Sequence, residues 1–523
     1  MARSFFDKFD RIWPEIDSVW QIAWRAYSTD RDPKLAEDLV SIFKKYIYWV
    51  DVNHQAAWSN VIRKLDHFLV GISLRVWACE LEAGAFYSLG RYQEAIDVLK
   101  THLLPLLLED EQTNLAKLVQ TYSNLALFHL DWGQPANAVE WIDKAVRLTE
   151  GVENISVESR KNLLLAMARY SESQNCQGHA EDAFEGIIAL ERLNLDRSDT
   201  DGLIPALLLR MAITAKAEGR EVEASRFIDR LQAFLAASPD TIDMKILTAR
   251  LHEFRGNYCE ARATLGAAVD RSIEVYGSKH WKTAGVIGVL AEQYEQERNY
   301  EEAERLYQLE LQIRKDALNG LTESLSIAEA LIGLGRVSLR LNKFEKAEGH
   351  LKKALDIQQK LLGPDHIDLA TPLIGLSRAY QGQARYEQAE AVGRRALALR
   401  RRSPQNDGPE LAEAFLRLGT VLRLSGNLQE AAQVFEEMIQ GNVKCSLPDE
   451  PTTRWQTTQT SHYGLMARAL RQLGKIYFEE SRVEEGASCY EQAIAIREKV
   501  FGVEHRSTLS LKQEYWDFTH PPS

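Results

Sequence analysis

The sequence predicts an all-α fold, an α-solenoid of about ten helical-hairpin repeats closed by helical caps. Three observations predict it. A small residue recurs twelve positions ahead of another, as in Ala126 with Ala138, Ala291 with Ala303, Gly335 with Ala347, Gly419 with Ala431 and Gly474 with Gly486. The second member of each pair falls at Ala95, Ala138, Ala183, Ala224, Ala261, Ala303, Ala347, Ala389, Ala431 and Gly486, in steps of 43, 45, 41, 37, 42, 44, 42, 42 and 55 residues. Finally, 523 residues exceed the roughly 250–300 at which one hydrophobic core stops growing, so the chain is either several domains or an elongated stack, and the repeat selects the stack.

Each pair lies in the same order of elements. A helix with apolar residues at i, i+3, i+4 and i+7 leads to a turn holding Gly, Asn or Ser, and a second amphipathic helix comes after it. Gly90-Arg91-Tyr92, Gly133-Gln134-Pro135, Gly256-Asn257-Tyr258 and Gly426-Asn427-Leu428 mark the turns. Gly ends the first helix there because it enters the left-handed cap without steric cost. The paired small residues let two helix backbones approach, while Leu418, Leu422 and Phe435 fill the seam.

Leu334-Gly335, Phe344, Ala347, Leu351 and Ala354 follow the pattern of the tetratricopeptide repeat, which this chain resembles. A period near 42 is longer than the usual unit of about 34 residues. It resembles the long-helix variety of kinesin light chain, through the connectors Tyr276-Gly277-Ser278-Lys279-His280, Leu362-Gly363-Pro364-Asp365-His366 and Phe501-Gly502-Val503-Glu504-His505. The resemblance runs most fully from Glu274 to Ser510 and more loosely from Leu81 to Leu265, and the connectors around Asn319 and Asn406 depart from it. It implies a right-handed α-solenoid that binds a partner along its concave groove. His280, His366 and His505 fall on separate connectors and do not converge as metal ligands would, so each is expected to be a local hydrogen-bond partner beside a helix-stopping Gly.

In chain order, residues 1–75 form a Trp-rich helical cap, since Trp13, Trp20, Trp24, Trp49 and Trp58 lie there and Trp77 just beyond. Trp13, Trp20 and Trp24 share one helical face. Residues 76–270 are divergent repeats and 271–440 the kinesin-light-chain-like ones. The 55-residue step contains a polar insertion at 441–461, Thr-rich with Pro448, Pro451 and Trp455, which is expected to be a surface loop whose Trp455 is a possible partner contact. Residues 462–523 hold the last repeat and a capping helix over Ser507 to Phe518.

Composition excludes several classes. The longest Leu-rich stretch, Leu103 to Leu108, is too short to span a bilayer, so no membrane partner is expected. The N-terminus interleaves charge with aromatics, unlike a secretory signal, and cytoplasmic residence is the expectation. Cys79, Cys176, Cys259, Cys445 and Cys489 are widely scattered and odd in number, which suits neither a disulfide framework nor a zinc site. No phosphate loop, nucleophile elbow, His-Glu-x-x-His or Cys-x-x-Cys occurs, so no enzymatic activity, catalytic residue, cofactor or metal is assigned.

The positive signal is charge. In tetratricopeptide proteins the first helix of each pair lines the groove, and the position after its small residue, with those three or four further on, faces the ligand. Carried onto this chain, that selects Arg336 and Arg340, then Arg378, then Arg417 and Arg423, then Arg468, Arg471 and Lys475. The middle repeats place Glu172, Glu292 and Glu295 there instead, so a basic groove is local to the C-terminal repeats of a chain whose net charge is −12. Arginine forks bind carboxylates and phosphates bidentately, which points to an acidic partner segment. The run Arg394, Arg395, Arg400, Arg401 and Arg402 ends a second helix and is expected on the convex surface. The function expected is a non-enzymatic protein-interaction scaffold or adaptor; the alternatives are a regulatory subunit gating a separately encoded enzyme, or a nucleic-acid-binding regulator. The last is disfavoured by residues 1–70, whose ten Lys/Arg and ten Asp/Glu lack a basic footprint.

Overall fold

The computed structural model of the chain describes residues 16, 18–29, 33–47, 52–65, 72–110, 114–149, 156–174, 182–186, 203–217, 220–237, 241–317, 324–402, 409–441 and 457–520. Three helices come first, α1 (18–29), α2 (Pro33–Tyr46) and α3 (Val52–Lys64). The first hairpin pairs α4 (Ile72–Ser88) with α5 (Tyr92–Val98), which runs through a π-helical turn at Leu99–Leu103 into α6 (Leu104–Leu108). Next come α7 (Leu115–Asp131) with α8 (Pro135–Thr149), α9 (Val157–Ser173) with α10 (182–186), α11 (Leu203–Ala217) with α12 (Glu221–Ala237), and α13 (Ile242–Arg255) with α14 (Tyr258–Tyr276). The C-terminal hairpins are α15 (Trp281–Gln296) with α16 (Tyr300–Ala317), α17 (Leu325–Arg340) with α18 (Phe344–Leu362), α19 (Ala370–Gly382) with α20 (Tyr386–Arg401), and α21 (Pro409–Leu424) with α22 (Leu428–Gly441). The last pairs α23 (Thr457–Glu479) with α24 (Val483–Phe501), and α25 (Arg506–Thr519) closes the end. The fold is an all-α solenoid. Among the described residues no helix is long and apolar enough to cross a membrane.

Close approach at the small-residue pairs holds each hairpin. Ala95, Ala126, Ala138, Ala261, Ala291, Ala303, Ala347, Ala389 and Ala431 are fully buried. A Cβ on Gly419 would fall 2.6 Å from the Phe435 ring, and one on Gly474 would fall 3.2 Å from the Gly486 carbonyl oxygen. Where the pair is Ser377 with Ala389, the hydroxyl uses the proximity and donates to the Ala389 carbonyl at 2.9 Å.

Both ends of each hairpin are set locally. The tight turn needs one left-handed residue, supplied by Gly90, Gly133, Gly256 and Gly426 in some repeats and by Arg298, Asn342, Ala384 and Ser481 in others. At the opposite end Gly277, Gly363 and Gly502 stop a second helix with φ of 98°, 91° and 91°. The connector histidine then caps the next helical segment: Nδ1 of His280, His366 and His505 accepts from the N–H of Lys282, Asp368 and Ser507, each at 3.2 Å. The recurring Gly-x-x-His is thus a stop-and-start signal.

At the N-terminal end Trp20 stacks on Trp58 with ring centroids 4.3 Å apart, both rings buried, and Trp24 stacks on Tyr27. Trp13 and Trp49 lie outside the described residues. Glu82 of α4, fully buried, accepts from Arg63 at 2.7 Å and Asn60 at 2.8 Å, tying α3 to the first repeat. Cys79 and Cys489 are buried and Cys259 is exposed, all as free thiols; Cys176 and Cys445 lie outside the described residues.

The solenoid curls back on itself. The turn between α7 and α8 meets the connector between α18 and α19, where the Trp132 indole donates to the Leu362 carbonyl at 3.3 Å. Beside it, a Cβ on Gly133 would fall 3.1 Å from His366 Nε2. One hairpin earlier, a side chain at Gly90 would overlap Leu325 at the start of α17. Hairpin turns of one superhelical turn therefore seat on connectors of the next, in register.

Candidate functional site

The first helices of successive hairpins pack on one another directly, α7 on α9, α17 on α19, α19 on α21 and α21 on α23, and so make the inner, concave wall. A ladder of charge pairs runs along it. Asp131 of α7 pairs with Arg169 of α9 at 2.6 Å, Glu172 of α9 with Arg210 of α11 at 2.7 Å, Arg250 of α13 with Glu292 of α15 at 2.9 Å, and Glu295 of α15 with Arg336 of α17 at 2.9 Å. It resumes near the C-terminus, where Arg423 of α21 meets Glu479 of α23 at 3.2 Å and Gln472 at 2.9 Å. Arg471 and Lys475 of α23 both reach Glu514 of α25, each at 2.6 Å.

Between these runs the ladder is broken. Arg340 of α17, Arg378 of α19 and Arg468 of α23 make no hydrogen bond or ion pair among the described residues, and Arg417 of α21 has only Glu413, 3.4 Å away on its own helix. Where a carboxylate would continue the pattern, the chain supplies another arginine. Burial, followed by the charges of Arg417 and Arg340, pulls Arg378 down to about 10; burial and Arg417 do the same to Arg468. Burial is the larger cause at both, and the Glu413 carboxylate opposes it. Arg340 and Arg336 also line an open polar recess with Glu292, Glu295, Gln296, Arg298 and Tyr300.

The eight basic residues selected from the sequence thus fall into two groups. Arg336, Arg423, Arg471 and Lys475 already hold carboxylates of neighbouring helices, whereas Arg340, Arg378 and Arg468 have no ion pair among the described residues and Arg417 has only Glu413 of its own helix. Their division depends on which carboxylates the neighbouring helices bring, Glu295, Glu479 and Glu514, and no local pattern reports that. Tyr307, from a second helix, joins the wall without any signal in the first-helix pattern: its hydroxyl lies 3.1 Å from Arg336. Trp455 lies outside the described residues, and α23 begins at Thr457, within the segment expected as a polar loop. Of the run expected on the convex surface, Arg395 donates to the Pro364 carbonyl at 2.9 Å, Arg402 pairs with Asp365 at 3.1 Å and Arg401 with Glu437 at 2.6 Å, while Arg400 is half-buried and donates to the Thr371 hydroxyl of α19 at 3.1 Å. Among the described residues no group of His, Cys, Asp and Glu is arranged to hold a metal.

Family models described as tetratricopeptide repeat match residues 119–151, 286–321, 326–402, 385–440 and 466–507. Over these stretches the chain is built of tetratricopeptide repeats. No curated protein matches this chain in sequence. Among solved structures it is similar to BtubC (BKLC) from P. vanneervenii, at 24% identity over 47% of this chain and 96% of that one, with a TM-score of 0.35. It is also similar to the nearly identical TPR-like repeats of a Podosopora anserina protein described as a kinesin light chain, at 20% identity over 42% and 97% of the two chains, with a TM-score of 0.35. A Rap protein complexed with competence and sporulation factor matches at 14% identity over 73% and 98% of the two chains, with a TM-score of 0.44. Tetratricopeptide repeats make the chain a protein-interaction scaffold.

Proposed function

We propose that this scaffold is non-catalytic and takes an acidic segment of a partner protein into its concave groove, against Arg340, Arg378, Arg417 and Arg468. The single observation carrying the reading is the break in the charge ladder: Arg340, Arg378 and Arg468 make no ion pair among the described residues, and Arg417 has only Glu413 of its own helix, on a repeat whose role is interaction. A carboxylate supplied from outside would recover the pairing that the rest of the wall makes internally. Each charge-assisted hydrogen bond so formed is worth about 1.5–3 kcal/mol. The paired residues Arg336, Arg423, Arg471 and Lys475 flank the patch. Charge reversal at Arg378, Arg423 and Lys475 in turn, read by co-purification and mass spectrometry, tests it. Arg378→Glu is expected to remove partners that the other two variants only weaken. An unchanged set of partners in all three would show that the groove assignment is wrong.

A further inference from the structure

His366 belongs to two contacts at once. As a connector histidine its Nδ1 accepts from the Asp368 N–H at 3.2 Å, just as His280 and His505 cap the segments that follow them. It also lies beneath another turn of the superhelix. Its side chain is only 5% exposed, a Cβ on Gly133 of the α7–α8 turn would fall 3.1 Å from its Nε2, and the adjacent Trp132 indole donates to the Leu362 carbonyl at 3.3 Å. Because Nδ1 accepts, the proton of the neutral ring sits on Nε2. That nitrogen is buried against the backbone of Asp131 and Trp132 and makes no hydrogen bond among the described residues.

A second proton would have to enter at Nδ1, evict the Asp368 N–H and bring a full charge into the seam. Around the ring stand Asp131 of α7, held by Arg169 at 2.6 Å and by Tyr87, and Asp365, held by Arg402 of α20 at 3.1 Å. Asp368, on the same connector as His366, also acts on Tyr92 of α5, Glu329 of α17 and Arg400 of α20. Of these groups Asp368 alone acts on His366, its carboxylate 3.6 Å from Nδ1. Burial outweighs that carboxylate and the facing backbone, and holds the ring below its ordinary 6.5. Lifting the α7–α8 turn off the connector returns the ring to water, where it takes the proton at about 6.5. The seated form therefore keeps its full advantage above pH 6.5 and loses it as pH falls toward the depressed value. The loss is about tenfold against the open form for every pH unit by which seating lowers the ring.

We propose that the contact between the α7–α8 turn and the α18–α19 connector is an acid-released latch, in which protonation of His366 frees one turn of the superhelix from the next. The latch is independent of what the groove binds.

The test is small-angle X-ray scattering with circular dichroism on the full chain, from about pH 7.5 to about pH 5, the window in which histidine changes charge. The radius of gyration of the parent chain is expected to rise across that window at constant helical ellipticity. It should rise equally in His280→Asn, which alters a cap on a different connector. In His366→Asn, whose amide accepts from the Asp368 N–H and takes no proton, it should stay at its neutral-pH value. A flat radius in the parent chain, an undiminished rise in His366→Asn, or a rise accompanied by loss of ellipticity overturns the latch. If His366→Asn is expanded already at neutral pH, imidazole NMR titration decides. His366 should titrate lower in the parent chain than in Trp132→Ala, where loss of the indole unseats the turn and returns the ring toward about 6.5. Equal titration in the two proteins overturns the proposal.

Discussion

The indole nitrogen of Trp132 donates to the carbonyl oxygen of Leu362 at 3.3 Å, across 230 positions of sequence. The bond fastens the α7–α8 turn to the α18–α19 connector and joins two turns of the superhelix. Trp132→Phe keeps most of the apolar contact and deletes the donor, leaving the carbonyl without this partner. A cost of about 0.5–1.5 kcal/mol in chemical denaturation is expected. Small-angle X-ray scattering should show a larger radius of gyration for the variant if this contact holds the turns together; an unchanged radius would assign the closure to neighbouring contacts.

Two glycines of one hairpin should respond oppositely to enlargement. A Cβ on Gly335 would fall 2.5 Å from Leu351 Cγ, whereas one on Gly349 would meet nothing within 4 Å. Gly335→Leu overpacks the seam and should destabilise by about 1–3 kcal/mol. Gly349→Ala removes a helix-interior glycine in open space and should stabilise by up to about 1 kcal/mol. Denaturant midpoints for the two proteins should move in opposite directions.

The turn at Ala384 places an alanine at φ 57°, a conformation that other repeats give to glycine. Its Cβ is crowded there, so Ala384→Gly relieves strain at some cost in unfolded-chain entropy. A net gain of about 0.5–1 kcal/mol is expected, read as a higher melting temperature. No gain would mean that the packed turn already accommodates the methyl.

His280 should give the fold an acid sensitivity. Burial and the neighbouring Lys282 charge lower its pKa from 6.5 to about 4, and its Nδ1 must stay unprotonated to accept from the Lys282 N–H. The unfolded chain therefore binds this proton more readily than the folded one, so the contribution is complete above pH 6.5 and is lost as pH falls toward about 4. His280→Asn keeps a capping acceptor that does not titrate and should flatten the melting-temperature profile across that window. A profile identical to that of the parent chain would remove His280 from the account.

Much of the hairpin geometry was legible because it is local. The recurrence of Ala303, Ala347, Ala389 and Ala431 marks the seams, and Gly363 with His366 marks a stop and a cap, all within a few residues of each other. Arg336, Arg378 and Lys475 each directly follow the first small residue of a pair, so their shared place on the first helices was legible as well. The sequence alone could not separate Arg378 from Arg471. That difference is made by Glu514, on a capping helix packed against α24, and by the absence of an equivalent opposite Arg378 among the described residues. Nor does any periodicity announce that Trp132 meets Leu362, because superhelical pitch is the accumulated result of many small rotations between neighbours.

Open solenoids tolerate gain or loss of whole repeats, because each unit touches only the next. In this chain Gly90 opposes Leu325 and Gly133 opposes His366, so units far apart are matched one to one, like threads on a bolt. Deleting or duplicating a hairpin between them would advance one thread past the other and present each turn to the wrong connector. The number of repeats between those contacts is therefore set by the seating of one superhelical turn on the next.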